Sequence, residues 1–169
     1  MVLTLYVLRH AKAEDAAAGG DHERVLRGRG RKTAKVVGRA LARLDELPDL
    51  VLSSTAARAR ETAELALEAG GLAVELEQRR EVYEASARTL LDQLATLPEE
   101  AQRVLLVGHQ PGLSLLIAEL TGAEPDFPTA ACARVDLAVA RWKDLAPGTG
   151  RLVWLFPADA LAALASAQD

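Results

Sequence analysis

Short apolar runs alternate along the chain with segments in which apolar residues recur at helical spacing. A short apolar run, or strict alternation of apolar and polar residues, is typical of a strand. These patterns predict strands at residues 2–8, 49–52, 72–76, 103–107, 132–140 and 152–156. The segments with helical spacing predict helices at residues 31–44, from caps at Ser53–Thr55 to Ala69, at 87–97, at 111–120 and from 158 onward.

This alternation favours an α/β fold, a three-layer sandwich in which helices cover both faces of a mostly parallel sheet. The chain has 169 residues, which is close to the usual length of one domain. Because it contains no internal repeat and no linker, we expect residues 1–169 to form a single domain. Residues 11–30 are polar and contain several glycines, so they are predicted to be a loop.

Composition and charge exclude several classes of protein. Hydrophobic residues make up 50% of the chain and charged residues 26%, as in globular rather than disordered proteins. The net charge of −4 disfavours non-specific nucleic-acid binding, so we expect no nucleic-acid partner. The apolar runs are too short to span a bilayer, and residues 1–8 lack the basic start and cleavage site of a signal peptide.

The numbers of cysteines and histidines limit the redox and metal chemistry. Cys132 is the only cysteine, so no intrachain disulfide can form, and we expect a cytoplasmic protein. With three histidines and one cysteine, a closed zinc site is nearly excluded. We therefore expect neither a metal nor another cofactor. The sequence does not indicate the oligomeric state.

Basic and polar side chains follow three of the predicted strands. Arg9 and His10 follow the first strand, and Ser53-Ser54 follows the second, with Arg58 one turn into the next helix. His109 follows the strand at residues 103–107 and precedes a helix. In open α/β sheets, ligands bind beyond the carboxyl ends of the strands, so these side chains can converge if the three strands are neighbours.

Such a set of residues is suited to phosphoryl transfer. Two arginines can hold the oxygens of one phosphoryl group, and backbone N–H groups near His109 would add to an anion site. A neutral histidine nitrogen can attack phosphorus and form a covalent intermediate. Nearby guanidinium groups lower the pKa of a histidine and also neutralise the phosphoryl oxygens, so the reaction needs no metal.

Each of these residues also has an ordinary structural interpretation. A histidine after a strand is commonly a polar loop residue, and Arg9 could cover an apolar surface with its aliphatic stem. Arg58 could pair with Glu61 at i,i+3, and Ser54 or Thr55 could be an N-cap. Four such groups at three strand ends make coincidence a weaker explanation than a shared site.

Three segments, in this order, resemble the motifs of the histidine phosphatase superfamily, whose fold is that of the phosphoglycerate mutases. Leu8-Arg9-His10-Ala11 resembles its Arg-His-Gly/Ala signature, and Ser53 to Thr62 resembles its Ser-Ser-Pro…Arg-Ala-x-x-Thr segment, with Thr55 in place of proline. Val107 to Gly112 resembles its second histidine segment. The Arg-His-Ala-Lys start and the compact length are most similar to the SixA-type phosphohistidine phosphatases. The resemblance extends to about Phe156.

The resemblance implies a role for each candidate residue. His10 would be the nucleophile, and Arg9, Arg58 and His109 would bind the phosphoryl group. Glu81 resembles the family's glutamate after the third strand, which would protonate the leaving group; its ordinary interpretation is a solvated loop carboxylate. Arg24 would also bind substrate, although the chain has Arg24-Val25-Leu26-Arg27 where the family often has Arg-Pro-Leu-Ser/Thr.

The function predicted from these residues is removal of phosphoryl groups from phosphohistidine on a protein, without a metal, through a covalent intermediate on His10. The chain has no room for the insertion with which larger mutase-type members shape a sugar-phosphate pocket. One alternative is a phosphatase for a small phosphorylated metabolite, and another is a weakly catalytic module that binds phosphorylated partners. Arginines at positions 24, 27, 29 and 31 could form a docking surface for an acidic partner or a solvated surface.

Overall fold

The computed structural model describes residues 2–167 and contains one six-stranded sheet. The strands are β1 (Leu3–Arg9), β2 (Leu50–Ser54), β3 (Glu75–Arg79), β4 (Arg103–Gly108), β5 (Cys132–Leu137) and β6 (Gly150–Phe156). The helices are α1 (Gly28–Arg43), α2 (Ala57–Gly70), α3 (Ala87–Ala95), α4 (Gly112–Thr121) and α5 (Ala158–Ser166). Short 3₁₀ helices lie at Asp21–Glu23, Arg80–Val82 and Trp142–Asp144.

The strand order in the sheet is β3-β2-β4-β1-β5-β6. The first four of these strands run parallel to their neighbours, and β5 and β6 add an antiparallel edge. Strands β2, β4 and β1 are therefore adjacent and point in one direction. This order brings the carboxyl ends of the three strands that carry the candidate residues to one edge of the sheet.

Helices cover both faces of the sheet, as the sequence predicts. Along β1, Leu5 and Val7 point into a core that includes side chains of α3 and α4. Tyr6 and Leu8 point into a second core, formed with side chains of α1, α2 and α5. Because β1 is buried on both faces, its sequence is an unbroken apolar run. The mostly parallel three-layer sandwich is confirmed.

The structure corrects three predicted boundaries by three residues. Strand β5 ends at Leu137, whereas the sequence predicted that it continues to residue 140. Helix α1 begins at Gly28, whereas the sequence placed residues 28–30 in a loop. Strand β3 lies at Glu75–Arg79 instead of residues 72–76. It is an edge strand with no fully buried residue, so an apolar run does not mark it. No helix within residues 2–167 is both long and apolar enough to cross a membrane.

Candidate active site

The candidate residues meet at the carboxyl ends of β1, β2 and β4. Arg9, the last residue of β1, is in register with Gly108, the last residue of β4. Ser53 of β2 is in register with Val107 of β4. His10 and His109 therefore follow directly from neighbouring strands, and their ring centroids are 5.3 Å apart.

The environment of His10 leaves one ring nitrogen free and keeps the ring neutral. Its Nδ1 lies 2.8 Å from the carbonyl oxygen of Ala11, and because a carbonyl only accepts, Nδ1 carries the proton. The lone pair of Nε2 is then available for attack on an electrophile. Burial lowers the pKa of His10 from 6.5 to about 4, and the Arg58 and Arg9 charges act in the same direction. Burial is thus the larger cause of the lowered pKa, ahead of the guanidinium charges from which the sequence analysis predicted it.

His109 is oriented by Ser54, whose hydroxyl lies 2.8 Å from its Nε2. The same hydroxyl oxygen accepts a hydrogen bond from the N–H of Ala56. Within residues 2–167, Nε2 of His109 is the one acceptor that the Ser54 proton reaches, so the proton of the ring belongs on Nδ1. Burial holds the pKa of His109 below its usual range, and His10 and Arg58 lower it further.

Three buried nitrogen atoms in this site have no hydrogen-bond partner among residues 2–167. They are Nε of Arg9, Nε of Arg58 and Nδ1 of His109. Buried polar groups are normally paired, so a cluster of unpaired ones points to a ligand. All three atoms are donors, and two belong to cations. The arrangement is suited to an anion with several oxygens, such as a phosphoryl group.

Three of the four terminal nitrogens of the two arginines are held by the protein. Arg9 donates from one terminal nitrogen to the carbonyl oxygen of Phe127 at 3.1 Å. Arg58 donates to the backbone oxygen of Asp21 at 2.8 Å and to its carboxylate at 3.1 Å. The alternative pairing of Arg58 with Glu61 does not form, because Glu61 faces Arg31 at 3.6 Å.

Asp21 is a site residue that the sequence interpretation missed. Its carboxylate accepts hydrogen bonds from the Tyr83 hydroxyl at 2.5 Å, from Arg24 at 2.8 Å and from Arg58. The Tyr83 hydrogen bond, followed by those of the arginines, holds the pKa of Asp21 well below its usual range. Asp21 lies in a polar segment without periodicity, so no local pattern distinguished it from other loop residues.

Tyr83 was also missed, although it lies two residues from Glu81. Its ring packs edge-on against His109, with centroids 5.5 Å apart, and against His22 at 4.8 Å. The Arg58 guanidinium lies over the ring, 5.9 Å from its centroid. Tyr83 thus contacts His109 and Arg58, two of the six predicted site residues.

Arg24 is hydrogen-bonded to a residue of the site, whereas Glu81 makes no such contact. Arg24 donates to Asp21 and to the backbone oxygen of Glu14 at 2.7 Å, and its charge lowers the pKa of His10. Glu81 is exposed in the 3₁₀ turn Arg80–Val82 and makes no hydrogen bond or ion pair to residues 2–167. Its predicted role as the acid is therefore not supported by a contact to the site residues.

The described part of the chain holds no cluster of three or more His, Cys, Asp or Glu side chains that could bind a metal ion. The site instead consists of two histidines and two arginines at one edge of the sheet, with Asp21 and Tyr83 packed beside them.

Comparison with known proteins identifies the family of this chain. Residues 5–87 match the histidine phosphatase superfamily (branch 1). A structure from Agrobacterium tumefaciens, whose assignment as the phosphohistidine phosphatase SixA is provisional, is 31% identical. The match covers 93% of this chain and 99% of that chain, with a TM-score of 0.79. A structure of the protein histidine phosphatase SixA complexed with tungstate is 26% identical, with coverages of 94% and 99% and a TM-score of 0.82.

An uncharacterised protein of Mycobacterium tuberculosis is 30% identical over 157 residues, which cover 86% of this chain and 96% of that protein. A phosphoglycerate mutase from Bacillus anthracis has the same fold, with a TM-score of 0.67 at 19% identity. The chain belongs to the histidine phosphatase superfamily. Within it, the chain is of the SixA type, as its motifs indicate. The family and these neighbours identify it as a phosphatase.

Proposed function

We propose that this protein is a phosphohistidine phosphatase, which removes the phosphoryl group from a histidine of another protein by way of a covalent intermediate on His10. The observation that carries the proposal is the neutral His10 ring, with Nε2 free, beside three buried donors that lack partners. A free nucleophile and an anion-binding donor set are the two components that phosphoryl transfer requires. The similarity to SixA proteins supports the same substrate class.

In the first step, the lone pair of His10 Nε2 attacks phosphorus while the bond from phosphorus to the substrate imidazole breaks. The electron pair of that bond remains on the leaving nitrogen. When the other nitrogen of the substrate ring carries a proton, the leaving group is a neutral imidazole. Arg9, Arg58 and the Nδ1–H of His109 bind the phosphoryl oxygens and stabilise their charge in the transition state.

In the second step, a water molecule attacks the phosphorus of the intermediate. The bond between phosphorus and Nε2 breaks, and its electron pair returns to His10. Inorganic phosphate is released, with the proton of the water passing to phosphate or solvent. The hydrogen bond from Nδ1 to the Ala11 carbonyl holds the ring in one orientation through both steps.

The exposed position of Glu81 favours phosphohistidine over an alkyl phosphate. An alkoxide is a poor leaving group and needs a well-placed acid, whereas an imidazole leaves with little assistance. Glu81 makes no contact within residues 2–167 that would fix it as such an acid. A phosphatase for a small metabolite remains the second candidate, because Glu81 lies near Tyr83 and could act on a bound substrate.

Trapping of the intermediate tests the mechanism. We expect brief incubation with a ³²P-labelled phosphoprotein, followed by an alkaline quench, to leave acid-labile label on a peptide that contains His10. His10→Ala should show neither label nor turnover, because no other group replaces the nucleophile. Label on another residue, or turnover by His10→Ala, would refute the covalent role of His10.

Substrate class is tested separately. We expect kcat/KM for a phosphorylated phosphocarrier protein to exceed that for each member of a panel of sugar phosphates. Efficient hydrolysis of a free sugar phosphate would instead identify a metabolite phosphatase. Binding of phosphoproteins without turnover of any substrate would identify a binding module.

A further inference from the structure

The predicted basic surface at residues 24–31 is mostly neutralised by nearby carboxylates. Arg24 pairs with Asp21 at 2.8 Å, and Arg27 pairs with Asp15 at 2.6 Å. The third arginine, at position 31, faces a carboxylate at 3.6 Å. Arg29 differs from the other three, since its side chain makes no hydrogen bond or ion pair to residues 2–167. The exposed Arg29 charge is therefore free to meet a partner.

Arg29 lines a cavity of about 240 Å³ together with a second cation, Lys12, whose side chain likewise has no hydrogen-bond or ion-pair partner among residues 2–167. The hydroxyl-bearing side chains of Thr33 and Thr129 also line this cavity. No acidic side chain is among its lining residues in the described part of the chain. The Thr33 hydroxyl donates its proton to the backbone oxygen of Arg29 at 2.8 Å, so two cations and the Thr129 hydroxyl are the donors that this cavity offers to an anion.

The cavity is fixed to the catalytic loop by backbone contacts. Its lining residue Ala130 donates its N–H to the carbonyl oxygens of Arg9 and His10, each at 3.1 Å. On the other side of the cavity, a Cβ added at Gly30 would lie 2.1 Å from the backbone oxygen of Lys12. The first turn of α1 therefore lies directly against Lys12, which is two positions beyond the proposed nucleophile. A span of two residues limits the Cα separation of His10 and Lys12 to about 7 Å.

The cavity is nevertheless distinct from the phosphoryl site. None of the phosphoryl-site residues is among those that line the cavity. A volume of about 240 Å³ is also smaller than the roughly 300–1,000 Å³ of a typical small-molecule pocket. The dimensions suit a single anionic side chain better than a whole metabolite.

We propose that Lys12 and Arg29 form a docking site for a carboxylate side chain on the phosphoprotein, close to the phosphorylated histidine. This inference rests on the proposed function, because it assumes that the substrate is a protein. A substrate with aspartate or glutamate beside its phosphohistidine would bind both sites at once. Contacts away from the reacting group would then position the phosphoryl group for attack.

Two synthetic peptides test the docking site. Both carry one chemically phosphorylated histidine, flanked by glutamates in one peptide and by the uncharged glutamines in the other. We expect wild-type kcat/KM to be about two- to fivefold higher for the glutamate peptide, as for an exposed ion pair, and the ratio to shrink at high salt. In Lys12→Ala/Arg29→Ala the ratio should fall to about one, with free phosphohistidine affected much less than the glutamate peptide.

Lys32→Ala is the matched control, because Lys32 is an exposed cation of α1 outside the lining of the cavity. It should keep the wild-type ratio. The docking site would be refuted by equal rates of the wild type on both peptides, by an unchanged ratio in the double variant, or by an equal loss in Lys32→Ala. Hydrolysis of a sugar phosphate but of no phosphohistidine substrate would refute the proposed function itself.

Discussion

At the scale of single residues, the location of the candidate site residues was predictable, whereas the contacts of Asp21 and Tyr83 beside them were not. His10 and His109 follow strands directly, so their position at the sheet edge is a consequence of the alternating pattern. Asp21 and Tyr83 join through a hydrogen bond between residues 62 positions apart. A contact of that separation depends on the whole topology and leaves no periodic signal in either segment.

Tyr83 offers a test of positioning at this scale. Tyr83→Phe removes the hydroxyl that binds Asp21 but keeps the ring against His109 and Arg58, so we expect kcat/KM to fall less than about fivefold. Tyr83→Leu removes the ring as well, and we expect a loss of about ten- to a hundredfold, mainly in kcat, because His109 and Arg58 lose their orientation. The NMR signals of the His109 ring should shift in the Leu variant. Equal activity of Tyr83→Leu and wild type would contradict a positioning role.

Glu81 provides a second test, in which two substrates are compared. Glu81→Gln should slow hydrolysis of an alkyl phosphate by roughly 10²-fold if Glu81 protonates the leaving group, and should slow phosphohistidine hydrolysis much less. Steady-state rates of both substrates measure the difference, with Glu84→Gln as the control because Glu84 is an exposed carboxylate of the same segment. Equal losses on the two substrates would mean that Glu81 has a structural role.

At the scale of elements, strands β1 and β4 were predicted well and edge strand β3 poorly. Strands β1 and β4 are buried on both faces, and their apolar runs define them within one or two residues. Edge strand β3 consists of four polar residues and one leucine, none of them fully buried. The prediction from the apolar run at residues 72–76 therefore placed this strand three residues too early. Helix α1 begins with Gly-Arg-Gly, a poor helix start by propensity, and tertiary contacts of Gly30 with Lys12 fix it there.

The packing of α1 on α2 depends on a glycine. A Cβ at Gly38 would lie 1.9 Å from the backbone oxygen of Ala66, a distance that only separation of the two helices can relieve. We expect Gly38→Ala to lower the free energy of unfolding by about 1–3 kcal/mol or more, as overpacking does. Gly28→Ala, also in α1, has no atom within 4 Å of the added Cβ and should leave stability unchanged or slightly higher. Urea unfolding of both variants measures this, and equal stabilities would contradict the close helix contact.

At the scale of the whole molecule, the site imposes a cost on stability that depends on pH. Burial and positive charge keep both His10 and His109 neutral, with pKa values below the 6.5 of a free histidine. Below pH 6.5 the unfolded chain therefore binds protons that the folded chain does not. The free energy of unfolding therefore has its full value above pH 6.5. It falls as the pH decreases toward about 4, where His10 becomes protonated in the folded state as well.

We expect this loss to approach about 1.4 kcal/mol per pH unit for each histidine in the middle of the window. Asp21, with its lowered pKa, acts in the same direction, but only below its ordinary pKa of 3.8. Urea unfolding between about pH 5 and pH 7 should therefore give a steep dependence for the wild type and a shallower one for His10→Asn/His109→Asn, which has no imidazole to protonate at either position. Parallel curves for the two proteins would show that these histidines are not the groups held neutral by the fold.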